Sequence, residues 1–186
     1  MRALLLRHGE SVHNADRSGE PAAHSESDRL TEKGIEQAHA AGGGLRDHGV
    51  THLLSSPLRR ARETAAAVGE ALGLEARELD YVGELTSAET FEQAVGRVRR
   101  LKAELEAGAA GTKPLLVTHG IFARFFLLDS VLGERFEAPM AAGLWNLGSH
   151  NCGLSTFAHG ESRDPLGNPI AGWTCLTWME RPWSRP

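Results

Sequence analysis

The chain has 186 residues, 41% hydrophobic and 24% charged, with 20 Lys and Arg against 24 Asp and Glu. That is an ordinary globular balance in the size range of one domain, here taken as residues 1–186. The formal charge of −4 gives a nucleic-acid partner no electrostatic support, and no apolar run approaches the ~20 residues that span a membrane.

The first predicted strand covers Ala3 to His8. Its apolar part, Ala3 to Leu6, is too short for a signal-peptide core and runs at once into Arg7 and His8. A cytoplasmic location is therefore expected, and Cys152 and Cys175 are expected as free thiols there. Residues 9–30 read as an irregular loop punctuated by Gly19 and Pro21. Long loops inside compact domains tend to be functional.

A helix is predicted from Thr31, a good cap, with Glu32 in the first turn where the helix dipole favours an anion. Ile35, Ala38, Gly42 and Leu45 repeat at helical spacing, and Gly49 stops it. His39 and His48 on this helix read as surface residues. Val50 to Ser55 is a second strand. Ser56 and Pro57 suit a cap and a first-turn proline for a helix running to Leu72. Its apolar face is Leu58, Ala61, Ala65, Val68 and Leu72, and Arg59, Arg60 and Arg62 lie off that face. Helix N-termini attract anions through free backbone N–H groups, and clustered arginines there sharpen the attraction.

Residues 75–82 read as a short third strand. A polar stretch with Glu84 and Glu89 precedes a helix over residues 90–107, striped by Phe91, Val95, Val98, Leu101 and Leu105. Pro114 to His119 is a buried strand that, like the first, ends in His–Gly. Ile121 to Leu132 is a helix apolar nearly all round, hence buried. Residues 133–149 are irregular. Residues 151–158 and 173–179 read as late strands joined by the Gly- and Pro-bearing connection 160–172, with a loosely held tail after Glu180.

Strands alternating with helices predict an α/β fold, a mostly parallel central sheet in a three-layer αβα sandwich, with antiparallel pairing near the C-terminus. In a parallel sheet both His–Gly ends, and the arginine-rich helix start after the second strand, share one edge. Open α/β sheets bind ligands at that edge. Arginine's planar fork matches phosphate oxygens, and histidine can attack phosphorus or relay a proton.

Four stretches, LLLRHGES at 4–11, LTEKGIEQA at 30–38, SSPLRRARETA at 55–65 and LLVTHG at 115–120, make the sequence resemble the histidine phosphatase superfamily. That group includes the cofactor-dependent phosphoglycerate mutases. The resemblance implies a phosphoglycerate mutase-like fold and a set of roles. His8 matches the nucleophile that becomes phosphohistidine, and Arg7 the phosphate-binding arginine beside it. Arg60 matches the arginine of the third motif, with Arg59 facing solvent. His119 matches the second pocket histidine. Ser11 and Asn14 fall where the family often contacts phosphate oxygens. Ser56 matches a serine that orients the nucleophilic ring, and Arg124 an arginine in a structural ion pair. The family's proton donor is usually a glutamate after the second helix and third strand, with Glu78, Asp80 and Glu84 as candidates. The spacing falls best on Glu84, although the family's Gly–Trp–Glu–Gly-like stretch is absent.

The resemblance further implies a phosphomonoester hydrolase. Family mutases carry an enclosing insertion that residues 75–90 are too short to hold. A mutase-like phosphotransferase and a non-catalytic phosphate-binding module are the alternatives. No cofactor is expected, and no metal, since arginine and histidine supply the positive charge and no HxH, HExxH or Cys–His cluster is present. The expected partner is a small phosphorylated metabolite or a phosphoprotein, with specificity from residues 12–30, 78–92 and 134–150. Arg17, His24, Arg29, Arg135 and Trp145 are the candidates there. The oligomeric state is not legible.

Overall fold

Ala3 to Leu6 make a strand buried on both faces, which is why they read as an unbroken apolar run. The computed structural model describes residues 1–16, 27–163 and 165–183. Its strands are β1 (Arg2–Arg7), β2 (His52–Ser55), β3 (Ala76–Glu78), β4 (Pro114–Thr118), β5 (Leu154–Arg163) and β6 (Pro169–Glu180). They form one sheet in the order β3-β2-β4-β1-β5-β6. The first four are parallel, and β5 and β6 add as antiparallel strands beside β1.

The helices are α1 (Val12–Ala15), α2 (Glu32–Leu45), α3 (Arg59–Leu72), α4 (Phe91–Glu106) and α5 (Gly120–Leu132). Successive strand residues point to opposite faces. Leu4, Leu6, Leu53, Leu115 and Val117 therefore pack on α2 and α3, through Ala38, Leu45, Ala61, Ala65 and Val68. Leu5, Leu54 and Leu116 pack on α4 and α5, through Val98, Leu101, Phe122 and Phe126. The result is the three-layer sandwich with a mostly parallel sheet expected from the sequence. No helix among the described residues is long and apolar enough to cross a membrane.

Several local expectations need correction. Part of the predicted first loop is the helical turn α1, capped by Ser11. Ile35 is 44% exposed, because α2 approaches the sheet through Gly34, Ala38, Ala41 and Gly42. α3 begins at Arg59 with Leu58 at its cap position, so Ser56 and Pro57 precede the helix. Ser56 Oγ accepts from Leu58 N–H at 3.2 Å and tightens that entry. β3 is only three residues, followed by a 3-10 turn over Asp80–Val82. α5 buries Phe122, Phe125 and Phe126 but leaves Val131 61% exposed. Residues 138–146 are a 3-10 helix rather than irregular chain.

The late strands form a hairpin much longer than predicted, its pairing running from Leu154↔Glu180 to Arg163↔Pro169. Aromatic packing holds it down. Phe126 meets Phe157 edge-on at 4.7 Å and Trp173 at 5.4 Å between ring centroids, geometry worth about 1 kcal/mol per pair beyond burial. The tail is also less loose than expected, since Trp183 packs over Gly44 of α2.

Candidate active site

Register alone brings the two His–Gly ends together. Leu4↔Leu115 through Arg7↔Thr118 pair across β1 and β4, and His8 N–H donates to Thr118 O at 3.0 Å. The next residue on each strand is a histidine, so the His8 and His119 rings sit 5.1 Å apart, both buried. β2 lies on the other side of β4, with Ser56 N–H on Val117 O at 2.9 Å. Ser56 Oγ is therefore 2.8 Å from His119 Nε2. The serine expected to orient the nucleophilic ring instead holds the second histidine.

The loop after β1 is pinned from both helices of one layer. Gly9 N–H donates to Thr64 Oγ1 of α3 at 3.0 Å, and Glu10 N–H to Gln37 Oε1 of α2 at 2.9 Å. Gly34 of α2 lies so close that a Cβ on it would collide with the Glu10 carbonyl, and a Cβ on Gly9 would collide with the Gly34 carbonyl. Two facing glycines let the backbones meet.

These contacts fix the chemistry of His8. Its Nδ1 is 2.7 Å from Gly9 O, an acceptor only, so Nδ1 carries the proton. Nε2 then holds a lone pair, which accepts from Arg60 Nε at 3.2 Å. Burial, with the charges of Arg7 and Arg60 behind it, pushes the His8 pKa well below the ordinary histidine range. The ring is neutral at pH 7, with its basic nitrogen facing the arginines. Burial likewise lowers the Arg7 and Arg60 pKa values, and guanidinium stays charged in proteins.

Arg60 is 5% exposed, and its NH1 lies 3.7 Å from Asp28 Oδ2. Arg7 reaches the other way. Its NH1 donates to Ser149 O at 2.8 Å and Oγ at 3.3 Å, and its NH2 to Asn14 Oδ1 at 3.5 Å. Asn14 stands on α1 because Ser11, fully buried at the cap, accepts its backbone N–H at 3.3 Å. Ser11 is thus placed beneath Asn14 and not among the cavity-lining residues. Arg124 gives Nε and NH2 to the Leu147 carbonyl, at 3.0 and 2.7 Å, in place of the ion pair expected of it.

Around these groups is a cavity of about 270 Å³. Arg7, His8, Asn14, Arg60, Glu84 and Arg124 line it, and Trp145, 70% exposed, forms its rim with the Arg124 guanidinium 5.6 Å from its ring. Of the three acids considered, only Glu84 lines the cavity. Glu78 pairs with Arg62 at 3.9 Å and Asp80 is exposed outside it. Glu84 accepts N–H bonds from Leu85, Ile121 and Phe122 at 3.0 to 3.3 Å. These seat it at the N-terminus of α5, on the cavity wall. Arg59 is exposed and paired with Glu63. Arg29 and Arg135 are exposed and away from the cavity, and Arg17 and His24 lie outside the described residues.

Sequence reasoning missed His13, Asp28 and Ile121 on the cavity wall, and Ser149 and Asn151 behind it. Asp28 sits two residues before the second motif, a proximity that gave a usable signal. Ser149 and Asn151 gave none, being in a stretch with no regular pattern. A larger cavity, about 360 Å³, lies at the opposite end of the strands, lined by Leu53, Leu74, Leu105 and Pro114. It lacks His8, Arg7 and Arg60, so chemistry and not size selects the smaller one, although His119, expected in the phosphate pocket, is fully buried behind His8 and does not line it.

A model of the histidine phosphatase superfamily (branch 1) matches residues 3–87. A probable phosphoglycerate mutase GpmB of Yersinia pestis is 32% identical over 195 aligned residues, covering 87% of this chain and 86% of its own. The chain belongs to the histidine phosphatase superfamily. A second GpmB, from Erwinia tasmaniensis, is 28% identical over the same shares. Among solved structures, a mycobacterial glucosyl-3-phosphoglycerate phosphatase complexed with VO3 superposes with a TM-score of 0.74 at 24% identity, covering 97% of this chain and 99% of that one. An Entamoeba histolytica phosphoserine phosphatase, in complex with 3-phosphoglyceric acid, gives 0.73 at 18%, covering 98% of each chain. These likenesses show that this superfamily member shares their fold.

Proposed function

We propose that the chain is a phosphomonoester hydrolase that works through a phosphohistidine on His8. The observation that carries this is the fixed tautomer: Nδ1–H on Gly9 O, and a buried, unprotonated Nε2 among arginines. In the first step Nε2 attacks phosphorus, and the bond to the leaving oxygen breaks. Glu84 gives its proton to that oxygen, so an alcohol departs. The phosphorylated ring is cationic, and Gly9 O steadies its Nδ1–H. In the second step Glu84, now a carboxylate, takes a proton from water as the water attacks phosphorus. Phosphate leaves and His8 returns neutral.

Arg7, Arg60 and Asn14 hold the phosphoryl oxygens, and His119, steadied by Ser56, stands behind the attacking ring of His8. Preorganised donors of this kind are worth about 100- to 1,000-fold each. The charge they supply makes the steps metal-independent and requires no cofactor. The substrate is a small phosphorylated metabolite or a phosphoprotein, met by a single-domain protein in the cytoplasm.

Rapid quench with labelled p-nitrophenyl phosphate is expected to trap acid-labile phosphate on the protein. His8→Ala is expected to abolish that label and lower turnover at least ~1,000-fold. Wild-type turnover by His8→Ala sinks the proposal. The names of the GpmB relatives favour a second reading, transfer to an acceptor alcohol. It shares the first step, and the ratio of free phosphate to transfer product with added alcohol separates the two. Binding of phosphate with no turnover across a metabolite panel would make the chain a binding module instead.

A further inference from the structure

We propose that Asn151, in the turn before β5, is a positioning residue that fixes which end of the Asn14 amide meets phosphate. The inference rests on the reading of the cavity as a phosphate site.

Two groups of fixed polarity set the arrangement. The His8 carbonyl only accepts, and Asn151 lies on it at 3.2 Å, so the atom there is the Nδ2 amine. The same Nδ2 lies 3.0 Å from the Asn14 side chain, which must turn its Oδ1 to meet it. On its other approach Asn14 faces Arg7 NH2 at 3.5 Å, a donor only, which demands Oδ1 again. Both constraints agree, and because Asn14 lines the cavity, its remaining Nδ2 is the end of the amide that can meet a phosphate there. Two N–H donors then face a phosphate. With the amide reversed, an oxygen would oppose the phosphate oxygens.

The turn that carries Asn151 is built at a cost. Cys152 has φ of 51°, in the left-handed region that a residue with a Cβ rarely adopts. In return its N–H reaches Arg7 O at 3.0 Å and His8 O at 3.2 Å. Backbone strain of this kind concentrates where geometry must be held. The Cys152 thiol takes no part, since burial pushes it up to about 12.

The test is a double-variant cycle read from the affinity for inorganic phosphate by titration calorimetry. Asn14→Ala is expected to weaken binding about tenfold and Asn151→Ala about fivefold. The double variant is expected to bind no more weakly than Asn14→Ala, because Asn151 acts through Asn14. A merely structural role, such as support of the His8 carbonyl, persists in the Asn14→Ala background and appears as multiplied losses. Multiplied losses, wild-type affinity in Asn151→Ala, or a wild type that binds no phosphate each overturn the proposal.

Should Asn151→Ala fail to fold, assigned ¹H–¹⁵N spectra of the wild type decide. The Asn14 side-chain NH2 pair is expected to shift on phosphate addition more than that of Asn151, and an unmoved Asn14 pair overturns the proposal. Coupled binding without turnover of any phosphomonoester would remove the hydrolase reading and leave the role of Asn151 standing. Turnover with uncoupled binding would do the reverse.

Discussion

At the scale of single residues, the site turns on the protonation of one ring. His8 is nucleophilic only when neutral, and burial followed by Arg7 and Arg60 holds its pKa well below the ordinary value, about 6.5. Activity under kcat/KM conditions should therefore not fall as pH drops through 6.5, and should fall only further down, as His8 gains its proton. Substrate phosphate also titrates near 6, so the diagnostic is a difference. Arg60→Gln removes a cationic neighbour and should move the acidic limb to higher pH for the same substrate. A limb that stays put would show that Arg60 does not depress His8. The same depression has a consequence for stability. The unfolded chain takes up the His8 proton below about 6.5 while the fold resists it. His8 thus contributes stability above that pH and loses it as pH falls. Replacing His8 by Gln should flatten the decline of Tm below pH 6.5.

At the scale of elements, the parallel strands and their helix starts were legible because each carries a local signal. The apolar run Ala3–Leu6 predicts a buried strand, the Thr31 cap and Glu32 predict α2, and the stripe from Val95 to Leu105 predicts α4. His8, His119 and Arg60 were legible because register and topology follow from those elements. The cap of α3 was misplaced because Ser56 resembles a helix cap while its Oγ also serves His119. The hairpin was cut short because Gly160, Gly167 and Gly172 read as a connection, whereas all three take positive φ within or beside paired strands. Ser149 and Asn151 were invisible because their partners lie more than 130 residues away.

The meeting of α2 with the loop after β1 yields a prediction at this scale. Gly34→Ala gains about 1 kcal/mol of helix propensity. The added methyl strikes the Glu10 carbonyl, a backbone atom that must move, and overpacking costs about 1–3 kcal/mol, sometimes more. The clash should win. Gly34→Ala should lower Tm and weaken phosphate binding together, while Gly43→Ala, with open space at its Cβ, should leave binding unchanged.

At the scale of the whole molecule, the site draws on both the parallel and the antiparallel part of the sheet. The parallel strands supply His8, His119 and the approach to Arg60, and the chain just before the antiparallel hairpin supplies Ser149 and Asn151. Arg7 and Ser149 are 142 residues apart. Ordering so long a loop costs entropy before the contact repays it, so the last contacts to form in folding should be those behind Arg7 and Asn14. In stopped-flow refolding, helical circular dichroism should therefore recover first, and phosphate binding should lag it. Simultaneous recovery would mean that the hairpin docks with the rest of the core. A chain that folds in this order stays without an anion site until its architecture is closed, so competence for phosphate becomes a report that folding is finished.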